Sequence, residues 1–226
     1  MTPTKLLELF RKEVDDEVEP HFWSDFEFFV YLNNAQDVFV RGIGGLSDRR
    51  SPWTTVNYKT GDKFKKYNSR ILRIKGAQDE NKKFIGIRNF DNIENMLVTD
   101  DYGAQVASTF DDDLTGAIKF LITDVEAKEF QLYPVPDHDG SLQLYIKRLP
   151  LEEIEDESSV LEIADTYHLD LLLWVKYKCY SKQDSEVFDP RKAADYRTEF
   201  NHSIEDAKVD KSSREDRKRT VRYGGI

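Results

Sequence analysis

The spacing of apolar residues predicts helices near both ends of the chain. Apolar positions recur at intervals of three and four over residues 6–14, 28–43 and 193–207, as on one face of a helix. Residues 169–177 are apolar on nearly all sides, which is typical of a buried helix. The second helix has a defined start, because the run from Ser24 to Glu27 fits a capping box.

The period changes from helical to alternating in the middle of the chain. Short β-branched and aromatic runs separated by polar turns predict strands there, and Asp139-Gly140 fits a hairpin turn. The pattern predicts an α+β fold: a helical bundle formed by the N- and C-terminal helices, with an inserted antiparallel β-rich region and an extended C-terminal tail. The predicted divisions are N-terminal helices over 1–50, a β-rich insertion over 51–150, C-terminal helices over 151–210 and a basic tail over 211–226.

Charge separates the predicted tail from the rest of the chain. The formal net charge is -10, yet residues 211–226 carry six basic and two acidic side chains, a net +4 that leaves -14 elsewhere. The tail has no apolar periodicity, and such a segment cannot bury enough apolar surface to fold alone. A basic segment of this kind is typical of an interaction arm. Its candidate targets are an acidic protein groove, a membrane and nucleic acid, although the acidic body repels phosphates.

Motifs for catalysis are missing from the sequence. The four histidines show no metal-ligand spacing, and there is no nucleophile elbow, phosphate-binding loop or cysteine pair. We therefore expect no enzyme activity, no cofactor and no metal site. No apolar run approaches the roughly 20 residues of a membrane span, and the first residues lack the apolar core of a signal peptide. We expect a protein made in the cytosol that does not bind membranes.

Several segments occur in an order that is informative as a whole. Taken from the N-terminus they are Trp23–Glu27 before Tyr31–Gln36, then Leu132–Asp137, Arg148–Pro150, Tyr167-His168 at the start of a helix, and Tyr196 with Phe200 in the last helix. This order resembles the head-to-tail adaptor (connector) proteins of tailed bacteriophages, of the tail tubular protein A type found in short-tailed phages.

The resemblance implies a structural protein of the virion. Such adaptors form a ring, usually of twelve copies, in the neck between the portal protein and a nozzle or tube protein of the tail. DNA passes through the ring without specific binding, and the family has neither catalysis nor a cofactor. Synthesis in the host cytoplasm follows from this role. A nucleic-acid-binding module that uses the basic tail is the alternative function.

The resemblance also implies that the C-terminal tail grips the portal. Arginine side chains form charge-assisted hydrogen bonds with acidic groups, and apolar residues at the tip supply anchors. The predicted portal-binding residues are Lys211, Arg214, Arg217, Lys218, Arg219, Arg222, Tyr223 and Ile226. A tail-side contact is predicted in the loop that contains Leu46, Arg49, Arg50 and Trp53.

Overall fold

The chain divides into two compact units in the computed structural model. The helical unit comprises Met1–Gly45 and Leu149–Ile226, and the β unit comprises Leu46–Arg148. The structure describes residues 1–91, 97–99, 105–107, 110–156, 159–183 and 186–215.

Four α-helices occur in the described part of the helical unit. They are α1 (Pro3–Glu13), α2 (Asp25–Gly42), α3 (His168–Tyr180) and α4 (Pro190–Glu215). The predicted capping box at the start of α2 is confirmed, because Ser24 accepts from the Glu27 N–H and Glu27 accepts from the Ser24 N–H. The helices enclose a core of their own, in which Phe10, Phe28 and Phe39 are fully buried.

The β unit is built around one long strand. Its described residues form β1 (Leu46–Asp48), β2 (Thr55–Tyr58), β3 (Phe64–Lys66), β4 (Ile71–Gln78), β5 (Phe84–Asn89), β6 (Leu97–Thr99), β7 (Gln105–Ala107), β8 (Phe120–Thr123), β9 (Glu129–Tyr133) and β10 (Gly140–Arg148). Eight strands make one sheet in the order β1-β10-β4-β5-β8-β9-β3, with β2 also paired to β10, while β6 pairs with β7. Alternate side chains of β10, namely Leu142, Leu144 and Ile146, enter the core of this unit.

The prediction of a helical bundle with an inserted antiparallel region is wrong. The sheet has eight strands and is mixed, because β5 and β8 are parallel, from the pair Gly86 and Phe120 to the pair Asn89 and Thr123. Parallel neighbours need a long crossover, and residues 90–119 supply it between the end of β5 and the start of β8. Alternating polarity along the sequence identifies strands but carries no information on their direction.

The start of the predicted extended tail is also helical. Helix α4 continues to Glu215, five residues into the segment that was predicted to be extended. Its polar outer positions give no apolar stripe after Ala207, so periodicity alone ended the helix too early. The predicted tail residues Arg217, Lys218, Arg219, Arg222, Tyr223 and Ile226 lie outside the described residues.

Candidate partner-binding surfaces

The base of the C-terminal tail is held by Lys211. The Lys211 ammonium is half-buried and donates to the backbone carbonyls of Ile43 (2.6 Å) and Gly45 (2.9 Å). These carbonyls follow the end of α2, where the helix dipole favours a positive charge. Lys211 was predicted to contact a portal, and in this structure its ammonium binds its own chain.

A close contact between α2 and α4 lies beside this anchor. A Cβ atom added to Gly42 would lie 2.6 Å from Ile204 Cγ2, so the absence of a side chain allows the two helices to approach. Gly44 and Gly45 follow with φ of 77° and 88°, in the left-handed region that favours glycine. The Gly45 N–H donates to the Val40 carbonyl at 2.7 Å and closes the helix end. The base of the tail is therefore fixed to the segment that leads into β1.

Arg214 is the other predicted portal residue within the described range. Its side chain is exposed on α4, one turn beyond Asp210, which accepts from the Tyr167 hydroxyl at 3.0 Å. The structure thus separates the two described members of the predicted portal set. Lys211 contacts the body of the helical unit, whereas Arg214 is exposed to solvent.

The predicted tail-side loop is held by a buried ion pair in the β unit. Asp48 Oδ1 accepts from the N–H groups of Arg50 (2.9 Å) and Ser51 (3.2 Å), and Asp48 Oδ2 accepts from Arg148 Nε (2.5 Å). Burial raises the pKa of the Asp48 carboxyl, but these hydrogen bonds outweigh burial and hold the pKa well below its usual range. Gln143 Nε2 also donates to the Arg49 carbonyl at 2.9 Å. The backbone of the loop is therefore ordered.

This loop places Arg49 against two aromatic side chains on the sheet. The Arg49 guanidinium lies 5.2 Å from the centre of the Tyr145 ring, and Tyr145 stacks against Phe84 with ring centroids 6.2 Å apart. Gly76 pairs with Tyr145 in the register of β10 and β4, and a Cβ atom added to Gly76 would lie 3.8 Å from Tyr145 Cδ2. Tyr145 donates to Gln78 Oε1 at 2.5 Å. We name these three side chains the Arg49–Tyr145–Phe84 ladder.

The ladder differs from the site that the sequence predicted. Leu46 pairs with Arg148 in the sheet, Trp53 lies against the core of the β unit, and Arg50 is exposed. Among the four predicted residues, Arg49 has its cation over a ladder ring, and Phe84 is 73% exposed. A glycine inside a strand, at Gly76, was the sequence signal for a close approach at this position.

Net charge is confined to one of the two units. Residues 46–148 contain 16 basic and 16 acidic side chains, so the β unit is neutral. The helical unit therefore carries the whole net charge of -10, and -14 without residues 211–226. The acidic body inferred from the sequence is thus the helical unit alone.

Two kinds of reactive site, metal centres and reactive thiols, can be assessed in the described residues. These residues contain no group of three or more His, Cys, Asp or Glu side chains that could hold a metal ion. Burial raises the pKa of the Cys179 thiol, which disfavours the reactive thiolate. Among the described helices, none has the length and apolar character that crossing a membrane requires.

Comparison with known proteins places the chain in a family. No curated protein matches it. The family model for the SU10 adaptor protein matches residues 1–224, almost the full length of the chain, and confirms the resemblance to phage head-to-tail adaptors. Membership implies a structural component of a phage virion that interacts with other head and tail proteins. The chain belongs to the SU10 adaptor protein family.

Proposed function

We propose that this adaptor forms a ring of twelve copies that joins the portal to the tail and lets DNA pass through its centre. The observation that carries the proposal is the family match over residues 1–224. The charge distribution supports it, because the acidic helical unit repels phosphates and would let DNA slide rather than bind.

The portal contact in this proposal is the end of the C-terminal tail. Arg214 and the basic residues that follow can pair with an acidic groove, and the apolar residues at the tip can anchor it. The anchored Lys211 supports this assignment in a specific way. It fixes where the tail leaves the helical unit, so fewer conformations are lost when the tail binds.

The tail-side contact in this proposal is the Arg49–Tyr145–Phe84 ladder. Arginine and tyrosine are enriched among the residues that dominate binding energy at protein interfaces. Phe84 exposes a large apolar ring, and the buried Asp48 and Arg148 pair holds the loop that presents Arg49. The ladder is thus an ordered surface for a nozzle or tube protein.

Two variants test the portal contact and the tail-side contact separately. We expect deletion of residues 216–226 to abolish co-sedimentation with purified portal rings while the circular dichroism spectrum stays that of a folded chain. We expect Phe84→Ala to bind the portal normally but to lose recruitment of the tail protein to portal–adaptor particles. Undiminished portal binding by the truncated protein would show that the tail assignment is wrong.

The same truncation tests the alternative function. A DNA mobility-shift titration at several salt concentrations compares the complete and the truncated chain. Binding that requires residues 216–226 and weakens steeply with salt would favour a nucleic-acid-binding module. We expect no binding that depends on the tail.

A further inference from the structure

The acidic helical unit has a local basic and aromatic surface. Lys178 Nζ lies 5.4 Å from the centre of the Trp174 ring and 5.6 Å from that of Tyr177. The Arg197 guanidinium lies 5.6 Å from the same Tyr177 ring, and Arg197 is exposed. We name Trp174, Tyr177, Lys178 and Arg197 the basic–aromatic face.

The aromatic side chains of this face are fixed before any partner binds. Trp174 Nε1 donates to Asn34 Oδ1 at 2.7 Å, and the Trp174 ring contacts Tyr177 and Phe200 at centroid distances of 5.0 Å. The Trp174 and Tyr177 rings remain partly exposed. Ordered aromatic rings with cations beside them bind a partner at a low cost in side-chain entropy.

An acidic segment of the same unit also contacts α2, at Asn33, the residue before the Asn34 that binds Trp174. We name its described residues, 151–156 and 159–162, the acidic connector. Its exposed carboxylates belong to Glu152, Glu153, Glu155, Asp156 and Glu162, which line an open cavity of about 900 Å³ together with Val160. Asn33 fixes the connector, because its Nδ2 donates to the Ile154 carbonyl (2.9 Å) and its Oδ1 accepts from the Ile154 N–H (2.7 Å).

Two consecutive residues of α2 show how the surfaces are arranged. Asn33 binds the acidic connector and Asn34 binds Trp174 of the basic–aromatic face. Neighbouring residues of an α-helix point about 100° apart around its axis. The two surfaces therefore flank the same helix on different sides. One unit with two different, oppositely charged surfaces has the geometry of a head-to-tail contact between identical copies.

We infer that the basic–aromatic face binds the acidic connector of a second copy of this chain. The inference rests on the proposed ring and specifies a contact between neighbouring copies. Lys178 and Arg197 of one copy lie against Glu152 and Glu155 of the next, and Val160, which is 83% exposed, covers the aromatic rings. Complementary charge selects this partner, because two basic–aromatic faces or two connectors repel each other.

Charge reversal gives a decisive test. The face variant carries Lys178→Glu and Arg197→Glu, and the connector variant carries Glu152→Lys and Glu155→Lys. Each variant alone brings like charges together, so we expect its self-association to weaken by more than about tenfold. An equimolar mixture pairs opposite charges at every contact of an alternating assembly, so we expect mixing to restore association. Mass photometry, with and without purified portal rings, measures the assemblies.

A matched control makes the same charge change elsewhere on the unit. Arg191→Glu with Lys208→Glu alters two exposed basic residues of α4 outside the face, and we expect wild-type assembly. Arg197→Glu alone, at an exposed position, must weaken association in the same direction as the face variant. Normal assembly of either charge-reversed variant, or a mixture that restores nothing, would overturn the inference while leaving the ring in place. Wild-type protein that stays monomeric on the portal would instead refute the proposed ring, and this contact with it.

Discussion

At the scale of single residues, Asp48 shows how a buried charge can order a loop. Its carboxylate accepts from two backbone N–H groups and from Arg148, and both side chains of the pair are under 10% exposed. Asp48→Asn removes the negative charge that accepts from Arg148 and from the two N–H groups, and breaking a buried ion pair in this way is strongly destabilising. We expect Asp48→Asn to lower the free energy of unfolding of the β unit by about 3 kcal/mol. Urea titration followed through the methyl NMR signals of Leu142 and Leu144 measures it.

Asp48 also predicts how the stability of the fold depends on pH. The pKa of Asp48 is lower in the folded chain than in the unfolded one. Its contribution to the free energy of unfolding is therefore complete above the unfolded pKa of about 4. This contribution is lost as the pH falls further, towards the folded pKa. We expect the Asp48→Asn variant to lose less stability than wild type over that acidic range. Asp113→Asn, at a side chain 95% exposed, is the matched control and should change stability by less than about 0.5 kcal/mol.

Gly42 tests the contact between α2 and α4. Gly42→Ala would place a methyl group 2.6 Å from the branched and stiff Ile204 side chain. Overpacking costs about 1–3 kcal/mol and the gain in helix propensity returns about 1 kcal/mol, so we expect a net loss of about 1 kcal/mol. In an Ile204→Ala background the penalty should vanish. Gly42→Ala, Ile204→Ala and the double variant form a double-mutant cycle, which urea unfolding followed by circular dichroism at the helix band measures. Additive effects of the two substitutions on the free energy of unfolding would show that this contact is unimportant.

At the scale of elements, sequence reasoning succeeded where the determining interactions are local. Ser24 and Glu27 are three residues apart, and the capping box they form defines the start of α2 as expected. The parallel pairing of β5 with β8 depends on residues more than 30 positions apart. The Arg49–Tyr145–Phe84 ladder likewise joins a loop residue after β1 to residues of two strands, β5 and β10, that are distant in the sequence. No spacing rule connects such positions, so these features required the structure.

Lys211 shows how one side chain connects two elements. Lys211→Met removes the cation that binds the carbonyls of Ile43 and Gly45. A loss of about 1 kcal/mol at a helix terminus raises the opening equilibrium about fivefold. We therefore expect amide hydrogen exchange of Gly44 and Gly45 to accelerate by that factor, with the rest of the helical unit unchanged.

Lys208→Met is the matched control for this prediction. Lys208 lies one turn earlier on the same helix and pairs only with the exposed Glu205 among its described contacts. Exposed pairs of this spacing contribute about 0.2–0.5 kcal/mol, so we expect exchange at the end of α2 to stay within about twofold of wild type. Equal acceleration in both variants would show that general loss of charge on α4, rather than the Lys211 anchor, changes the exchange.

At the scale of the whole molecule, the two units differ in charge as well as in structure. The β unit is neutral, whereas the helical unit carries all of the net -10. The proposed repulsion of DNA and the proposed contact between copies therefore both depend on charges of the helical unit. In the proposed function, the neutral β unit offers the ordered Arg49–Tyr145–Phe84 ladder as its binding surface. The sequence showed the total charge, and the unit boundaries showed where that charge lies.

The path of the chain predicts that the β unit can be removed as a piece. Leu46 and Arg148 are paired residues of β1 and β10, so the ends of this unit lie about 5 Å apart. Each unit also has its own apolar core. Joining Gly45 to Leu149 through a short Gly-Ser linker should therefore leave the helical unit folded.

We expect residues 46–148, expressed separately, to unfold cooperatively, as judged by circular dichroism and NMR dispersion. A fragment without a cooperative transition would show that the sheet depends on the helices, and that the β unit is not an independent folding unit.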